Sequence, residues 1–86
     1  MAGGMELEDF LVLALAGIGA HPPLIAFLTE MPLERVELIL EWLVERGYLK
    51  REGGRYKLTK AGGEAVKKWR RDPEAAAALR RAFDKF

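Results

Sequence analysis

Two neighbouring stretches decide the fold of this chain: residues 40–49, LEWLVERGYL, and residues 53–62, GGRYKLTKAG. The first continues an apolar stripe with the spacing i, i+3, i+4 and i+7, which consists of Val36, Ile39, Leu40 and Leu43. This spacing predicts a helix from Leu33 to Arg46, and Gly47 follows where a left-handed residue commonly ends a helix. The second stretch contains the Gly-Gly tip between two strand-like segments, 48–51 and 55–58, and therefore predicts a β-hairpin.

Helical patterns precede and follow these stretches. We expect a mostly buried helix at 5–16 and a short second helix that opens at Pro22 and closes at Met31-Pro32, since proline is tolerated at the first helical position. Thr59 is the predicted N-cap of a fourth helix that runs to about Arg71, and Asp72-Pro73-Glu74 signals the start of a last one. The predicted fold is mainly α with a small β-hairpin (residues 1–72), followed by a C-terminal amphipathic helix (residues 73–86).

Composition indicates a folded protein outside the membrane. The chain has 86 residues, enough for one domain, and 50% of them are hydrophobic. Because it has no apolar run of about 18 residues and no signal-peptide pattern, we expect a cytoplasmic protein without membrane contact. Asn, Gln and Cys are absent while Glu, Lys and Arg are abundant, which is a trend of thermophile proteins, although GC-rich coding gives some of the same bias.

The missing side chains also limit chemistry. With no Ser, no Cys and the single histidine His21, the chain cannot assemble a Ser-His-Asp or Cys-His site or a histidine-rich metal site. Most carboxylates fall at helical spacing on a solvated face. We therefore expect no enzyme activity, no catalytic residues, no metal and no cofactor.

Charge is divided between the two halves of the chain. Residues 1–45 contain eight acids and one base, a net charge of −7, whereas residues 46–86 contain thirteen bases and five acids, a net charge of +8. The asymmetry favours a polyanion-binding surface in the basic half. Attraction between the two halves across the fold is the alternative explanation.

The order of three helices, a Gly-tipped hairpin and a further helix resembles a winged helix-turn-helix domain. Residues 40–49 are similar to the motif xLxxLxxxGhL of that family, and residues 53–62 are similar to its motif GxYxLTxxG. The resemblance covers about residues 5–69 and extends to small transcriptional regulators of the MarR and PadR kind. It implies a homodimer that binds double-stranded DNA and regulates transcription, but no particular operator or ligand.

In DNA-reading members of this family, the third helix lies in the major groove and the hairpin, or wing, lies near the phosphates. Cations cluster on and beside the predicted wing, and one further base lies on the third helix. The candidate DNA-binding residues are Lys50, Arg51, Arg55, Lys57 and Lys60, with Arg35 as the one candidate for reading bases.

The third helix departs from the family pattern because its predicted outward positions carry four acids against one arginine. Those positions are Glu34, Arg35, Glu37, Leu38, Glu41, Trp42 and Glu45. In one interpretation the acids face solvent or accept hydrogen bonds from cytosine, and the wing holds the DNA. In a second, Leu38 and Trp42 contact a partner protein or a second copy. In a third, Trp42 folds back on the hairpin or the C-terminal helix as part of the core.

The last helix carries a stripe of small and aromatic residues that includes Leu79, Phe83 and Phe86. It has two candidate partners, the first helix of the same chain or a second chain. Because two phenylalanines at the end of the chain leave apolar surface to cover, we favour a homodimer in which these three residues lie at the interface.

Overall fold

Five helices and one β-hairpin form the described part of the chain, residues 4–85 of a computed structural model. In chain order the elements are α1 (Leu7–Gly17), α2 (Pro22–Thr29), α3 (Leu33–Glu45), β1 (Leu49–Glu52), β2 (Arg55–Leu58), α4 (Lys60–Trp69) and α5 (Pro73–Phe83). The predicted fold class, mainly helical with a small hairpin and a C-terminal helix, is confirmed. None of the helices in residues 4–85 is long and apolar enough to cross a membrane.

The observed boundaries differ from the predicted ones by a few residues at helix ends, and β1 runs from Leu49 to Glu52 rather than over 48–51. α1 begins at Leu7 rather than Met5, because Glu6 takes the extended conformation of an N-cap and its backbone N–H donates to Asp9 Oδ2 at 2.9 Å. α4 ends at Trp69, two residues before the predicted end, and the chain turns there before Asp72 caps α5.

The core surrounds α1, as the predicted buried helix requires. The largest side chains that are fully shielded from solvent are Phe10, Leu13, Leu15, Ile25, Leu28, Leu40, Leu43 and Leu49. Each contributes about 1.5–3 kcal/mol through removal of its apolar surface from water. Leu49 is the hairpin residue in this set, so burial at the start of β1 anchors the hairpin to the helices.

The hairpin has a two-residue glycine turn and a regular antiparallel register. Leu49 pairs with Leu58, Lys50 with Lys57, Arg51 with Tyr56, and Glu52 with Arg55. Gly53 and Gly54 have φ values of +59° and +78°, the left-handed conformation that such a turn requires and that glycine adopts without strain. Because side chains alternate along a strand, successive cross-strand pairs lie on opposite faces of the hairpin.

Thr59 fastens the end of the hairpin to α4. Its hydroxyl accepts a hydrogen bond from the Gly62 backbone N–H at 3.0 Å, which confirms the predicted N-cap, and donates to the Gly47 carbonyl oxygen at 2.5 Å. Its own backbone N–H donates to the Tyr48 carbonyl oxygen at 3.1 Å. The two ends of the hairpin and the start of α4 are thereby held as one unit.

Candidate nucleic-acid interface

The hairpin concentrates positive charge on exposed side chains. Four of its eight strand residues are cations and one is an acid, and all five are exposed: Lys50, Arg51, Glu52, Arg55 and Lys57. Lys60 follows two residues after β2, at the exposed first position of α4. The predicted cations thus lie on the hairpin and at the start of α4, with Arg51 on one face of the hairpin and Lys50, Arg55 and Lys57 on the other.

Glu52 pairs with both lysines of the hairpin. Lys57 Nζ lies 3.0 Å from Glu52 Oε1, and Lys50 Nζ lies 3.5 Å from Glu52 Oε2. The hydrogen bond from Lys57 and the nearby charge of Lys50 hold the pKa of the Glu52 carboxyl below its ordinary value. The two lysines share one carboxylate, so together the three side chains carry one net positive charge.

The two arginines of the hairpin form no ion pair with this carboxylate, although Glu52 is the cross-strand neighbour of Arg55. Neither Arg51 nor Arg55 forms an ion pair or donates a side-chain hydrogen bond to any residue in the described range 4–85. The Arg51 guanidinium carbon lies 5.7 Å from the centre of the Tyr56 ring, its cross-strand partner. This contact positions the guanidinium over an aromatic face while its N–H groups remain available to an anion.

β2 lies against the end of α1. A Cβ atom placed on Gly17 would come within 2.7 Å of the Leu58 side chain, so the last residue of α1 touches the last residue of β2. Arg55 and Tyr56 border a shallow depression whose other side is the loop after α1, at Gly19. This contact places Arg55 at the rim of the helical body rather than at an isolated tip.

The candidate base reader, Arg35, is engaged within the chain. Its Nε donates to Glu8 Oε1 of α1 at 2.8 Å, and both side chains remain about half exposed. An exposed ion pair of this kind contributes about 0.2–1 kcal/mol, so release of the guanidinium would cost little. Nothing in the local sequence pattern signals the pair, because the two residues are 27 positions apart.

The outward face of α3 is as acidic as the sequence indicates. Its exposed carboxylates, none of which forms an ion pair within residues 4–85, are Glu34, Glu37, Glu41 and Glu45. Leu38 lies among them with 67% of its surface exposed. Close approach of this face to phosphates would be repulsive.

Trp42 turns from this face towards the hairpin. It is partly buried against the main core, and its ring centre lies 6.3 Å from that of Tyr48, which immediately precedes β1. The Arg46 guanidinium carbon lies 5.3 Å from the Trp42 ring centre. The Trp42 side chain is thus packed as the third interpretation of α3 expects, and contact of Leu38 and Trp42 with a partner stays a prediction. Sequence reasoning missed the contact with Arg46, although the i, i+4 spacing was available as a signal.

α5 packs on α1 and α2 of its own chain. Its buried residues are Ala75, Ala78 and Ala82, and Leu79 is partly buried against the core. Lys85 Nζ donates to the Leu28 carbonyl oxygen at 3.3 Å and pairs with Glu30. Phe83 keeps 38% of its surface exposed, and Phe86 lies outside the described residues. The homodimer through α5 stays a prediction.

No family model matches this chain, and neither does any curated protein or solved structure. Within residues 4–85, no group of three or more His, Asp or Glu side chains is placed to hold a metal ion. The interpretation of the basic hairpin therefore rests on its own geometry and charge.

Proposed function

We propose that this protein binds double-stranded DNA through the β-hairpin, as a winged helix protein that regulates transcription in the cytoplasm. The observation that carries this proposal is the state of Arg51 and Arg55, which are exposed and form no ion pair in the described chain. Their charges are available to phosphates.

Phosphate neutralisation supplies the binding energy in this proposal. Each phosphate that a cation neutralises releases condensed counterions and adds about −0.9 to the slope of log K against log salt concentration. The strand residues contribute four cations and one acid, a net charge of +3. The glycine tip at residues 53–54 has no side chain that would keep the backbone away from the duplex.

The acidic face of α3 limits how the duplex can lie. Phosphates are attracted to the hairpin and repelled by the carboxylates of α3, so the hairpin rather than α3 makes the closest approach in this proposal. Phosphate contacts position a protein without reading sequence. We therefore expect affinity for duplexes of unrelated sequence and a strong dependence on salt.

The test is to measure binding to a fluorescently labelled duplex of arbitrary sequence over a series of salt concentrations, with fluorescence anisotropy as the readout. For Arg51→Ala with Arg55→Ala we expect weaker binding and a salt slope that is smaller by about 1.8, the share of two phosphate contacts. Arg80→Ala with Arg81→Ala removes the same charge from exposed positions of α5 and should leave the slope unchanged. The proposal is wrong if the unaltered protein does not bind DNA or binds it independently of salt. It is also wrong if the Arg80/Arg81 control variant loses as much of the salt slope as the Arg51/Arg55 variant.

A further inference from the structure

The outward side of α3 carries an acidic ridge, which we define as Glu34, Leu38, Glu41 and Glu45. Their spacing of i, i+4, i+7 and i+11 places them on one side of the helix, opposite the buried stripe that contains Val36 and Leu43. All four are exposed. The ridge is a row of three carboxylates with one apolar side chain inside it.

The outward side of α4 carries a basic ridge with the same spacing, which we define as Lys60, Glu64, Lys67 and Arg71. All four side chains are exposed, and Arg71 continues the row in the turn after the helix, where its backbone N–H still bonds the Lys68 carbonyl oxygen. Each position lies 26 residues after its counterpart in the acidic ridge. Parallel alignment of the ridges places a cation opposite each of the three glutamates of α3.

The charged side chains of the two ridges form no ion pairs within the described part of the chain. No residue of either ridge takes part in an ion pair within the described residues, where the pairs are Arg35–Glu8, Lys50–Glu52, Lys57–Glu52 and Lys85–Glu30. Among these, Lys85–Glu30 is the pair that joins the acidic half of the sequence to the basic half. The single ion pair between the acidic and basic halves of the described chain therefore leaves the side chains of both ridges unpaired.

We propose that copies of this protein associate head to tail, with the acidic ridge of one copy against the basic ridge of the next. Charge complementarity selects a second copy as the occupant, since the chain itself carries the matching row at the matching spacing. A symmetric contact of either ridge with itself would place like charges opposite one another and is disfavoured. In the parallel alignment Glu34 meets Lys60, Glu41 meets Lys67, and Glu45 meets Arg71.

The contact is weak and sensitive to salt. Exposed ion pairs contribute about 0.2–1 kcal/mol each, and one helix face buries less than the roughly 1,200 Å² of a stable interface. Because the two ridges differ, each copy added to one end leaves its own second ridge unpaired and able to bind a further copy. Growth therefore does not stop at a dimer unless the arrangement closes into a ring. Arg51 and Arg55 belong to neither ridge, so the contact leaves them free for DNA, whereas Lys60, the candidate DNA-binding residue on α4, is engaged in the contact.

Sedimentation velocity of the full chain without DNA tests the proposal, over a concentration series at low salt and at about 1 M salt, where the Debye length is about 3 Å. We expect the weight-average mass to rise with concentration at low salt and this rise to be lost at high salt. Glu41→Lys with Glu45→Lys should abolish the rise, and so should Lys67→Glu with Arg71→Glu. An equimolar mixture of these two variants should restore it, because each then offers a ridge that complements the other.

The control is Glu74→Lys with Asp84→Lys, which changes net charge as much as the first variant but at exposed positions in α5 and at its C-cap. It should associate like the unaltered protein, and circular dichroism should show helix in every variant. The proposal is overturned if the unaltered protein is monomeric at every concentration, or if the mixture stays monomeric. It is also overturned if association survives both reversals, as it would in a dimer through Phe83. None of these outcomes bears on DNA binding, which is measured separately.

Discussion

The α-carbon of Gly62 packs against the carbonyl oxygen of Tyr48: a Cβ atom at Gly62 would lie 2.1 Å from that oxygen. This close approach is what allows Thr59 to bond both Gly47 and Gly62. The first turn of α4 is thereby held against the base of the hairpin. The position of the basic hairpin relative to α4 therefore depends on this contact.

Gly62→Ala should destabilise the protein by about 1–3 kcal/mol, because the methyl group meets a backbone atom that cannot move without disturbing both elements. The control is Gly63→Ala, where the added Cβ meets no atom within 4 Å. This change should stabilise the protein by about 0.5–1 kcal/mol, since alanine loses less conformational freedom than glycine in a helix. Urea unfolding followed by circular dichroism measures both, and equal effects of the two changes would contradict the close approach.

Glu52→Gln should strengthen DNA binding. The change removes the carboxylate that Lys50 and Lys57 share, and raises the net charge of the hairpin strands from +3 to +4. We expect a salt slope that is steeper by about 0.9, measured by anisotropy with a labelled duplex. Glu74→Gln, the same charge change on α5, should alter the slope much less. Equal gains in both variants would mean that net charge, not the hairpin, governs binding.

Trp42→Ala should reduce the free energy of unfolding by about 1–3 kcal/mol, less than the roughly 3–5 kcal/mol for a fully buried tryptophan. The loss follows from the contacts of the Trp42 ring with Tyr48 and the core. Leu38→Ala is the matched control on the same helix, and because 67% of Leu38 is exposed, its effect should stay within about 0.5 kcal/mol. If Trp42→Ala left urea unfolding unchanged, Trp42 would have to be reassigned as a surface residue.

Acid should destabilise the protein partly through Glu30. A hydrogen bond from Lys85 holds the pKa of the Glu30 carboxyl below its ordinary value. The stability that this pair contributes is therefore fully present above about pH 4.3, the ordinary pKa of glutamate, and is lost as the pH falls through the lower pKa of the folded state. Burial raises the pKa of the Asp9 carboxyl, so protonation of Asp9 as the pH falls favours the folded protein instead of destabilising it.

Glu30→Gln should consequently show a smaller drop in Tm between about pH 7 and pH 3 than the unaltered protein, because it has no such carboxylate to protonate. Glu37→Gln removes an exposed carboxylate that has no ion pair in the described chain and lies outside the acidic ridge, and its drop should match that of the unaltered protein. Asp9 is present in all three proteins and cancels from the comparison. Identical drops in all three would show that the Lys85 pair contributes nothing in solution.

The sequence by itself determined the elements and their order. The apolar stripe of α3, the Thr59 N-cap and the Gly53-Gly54 turn each involve only a few neighbouring residues. The sequence patterns that predict them are therefore complete within one short segment. It also determined which charges belong to which element, including the basic hairpin and the acidic face of α3. Local periodicity and turn chemistry suffice for these features because they need no contact with a distant part of the chain.

Only the tertiary structure decided which charges remain available. Arg35 meets a glutamate 27 residues away and Lys85 meets one 55 residues away, and neither pairing follows from a local pattern. The same holds for Trp42, whose position at the edge of α3 left both core and surface open until the packing of Tyr48 against it was known. The physical reason is that such contacts depend on how whole helices pack, whereas helical period and turn preference are set within about one turn of the chain.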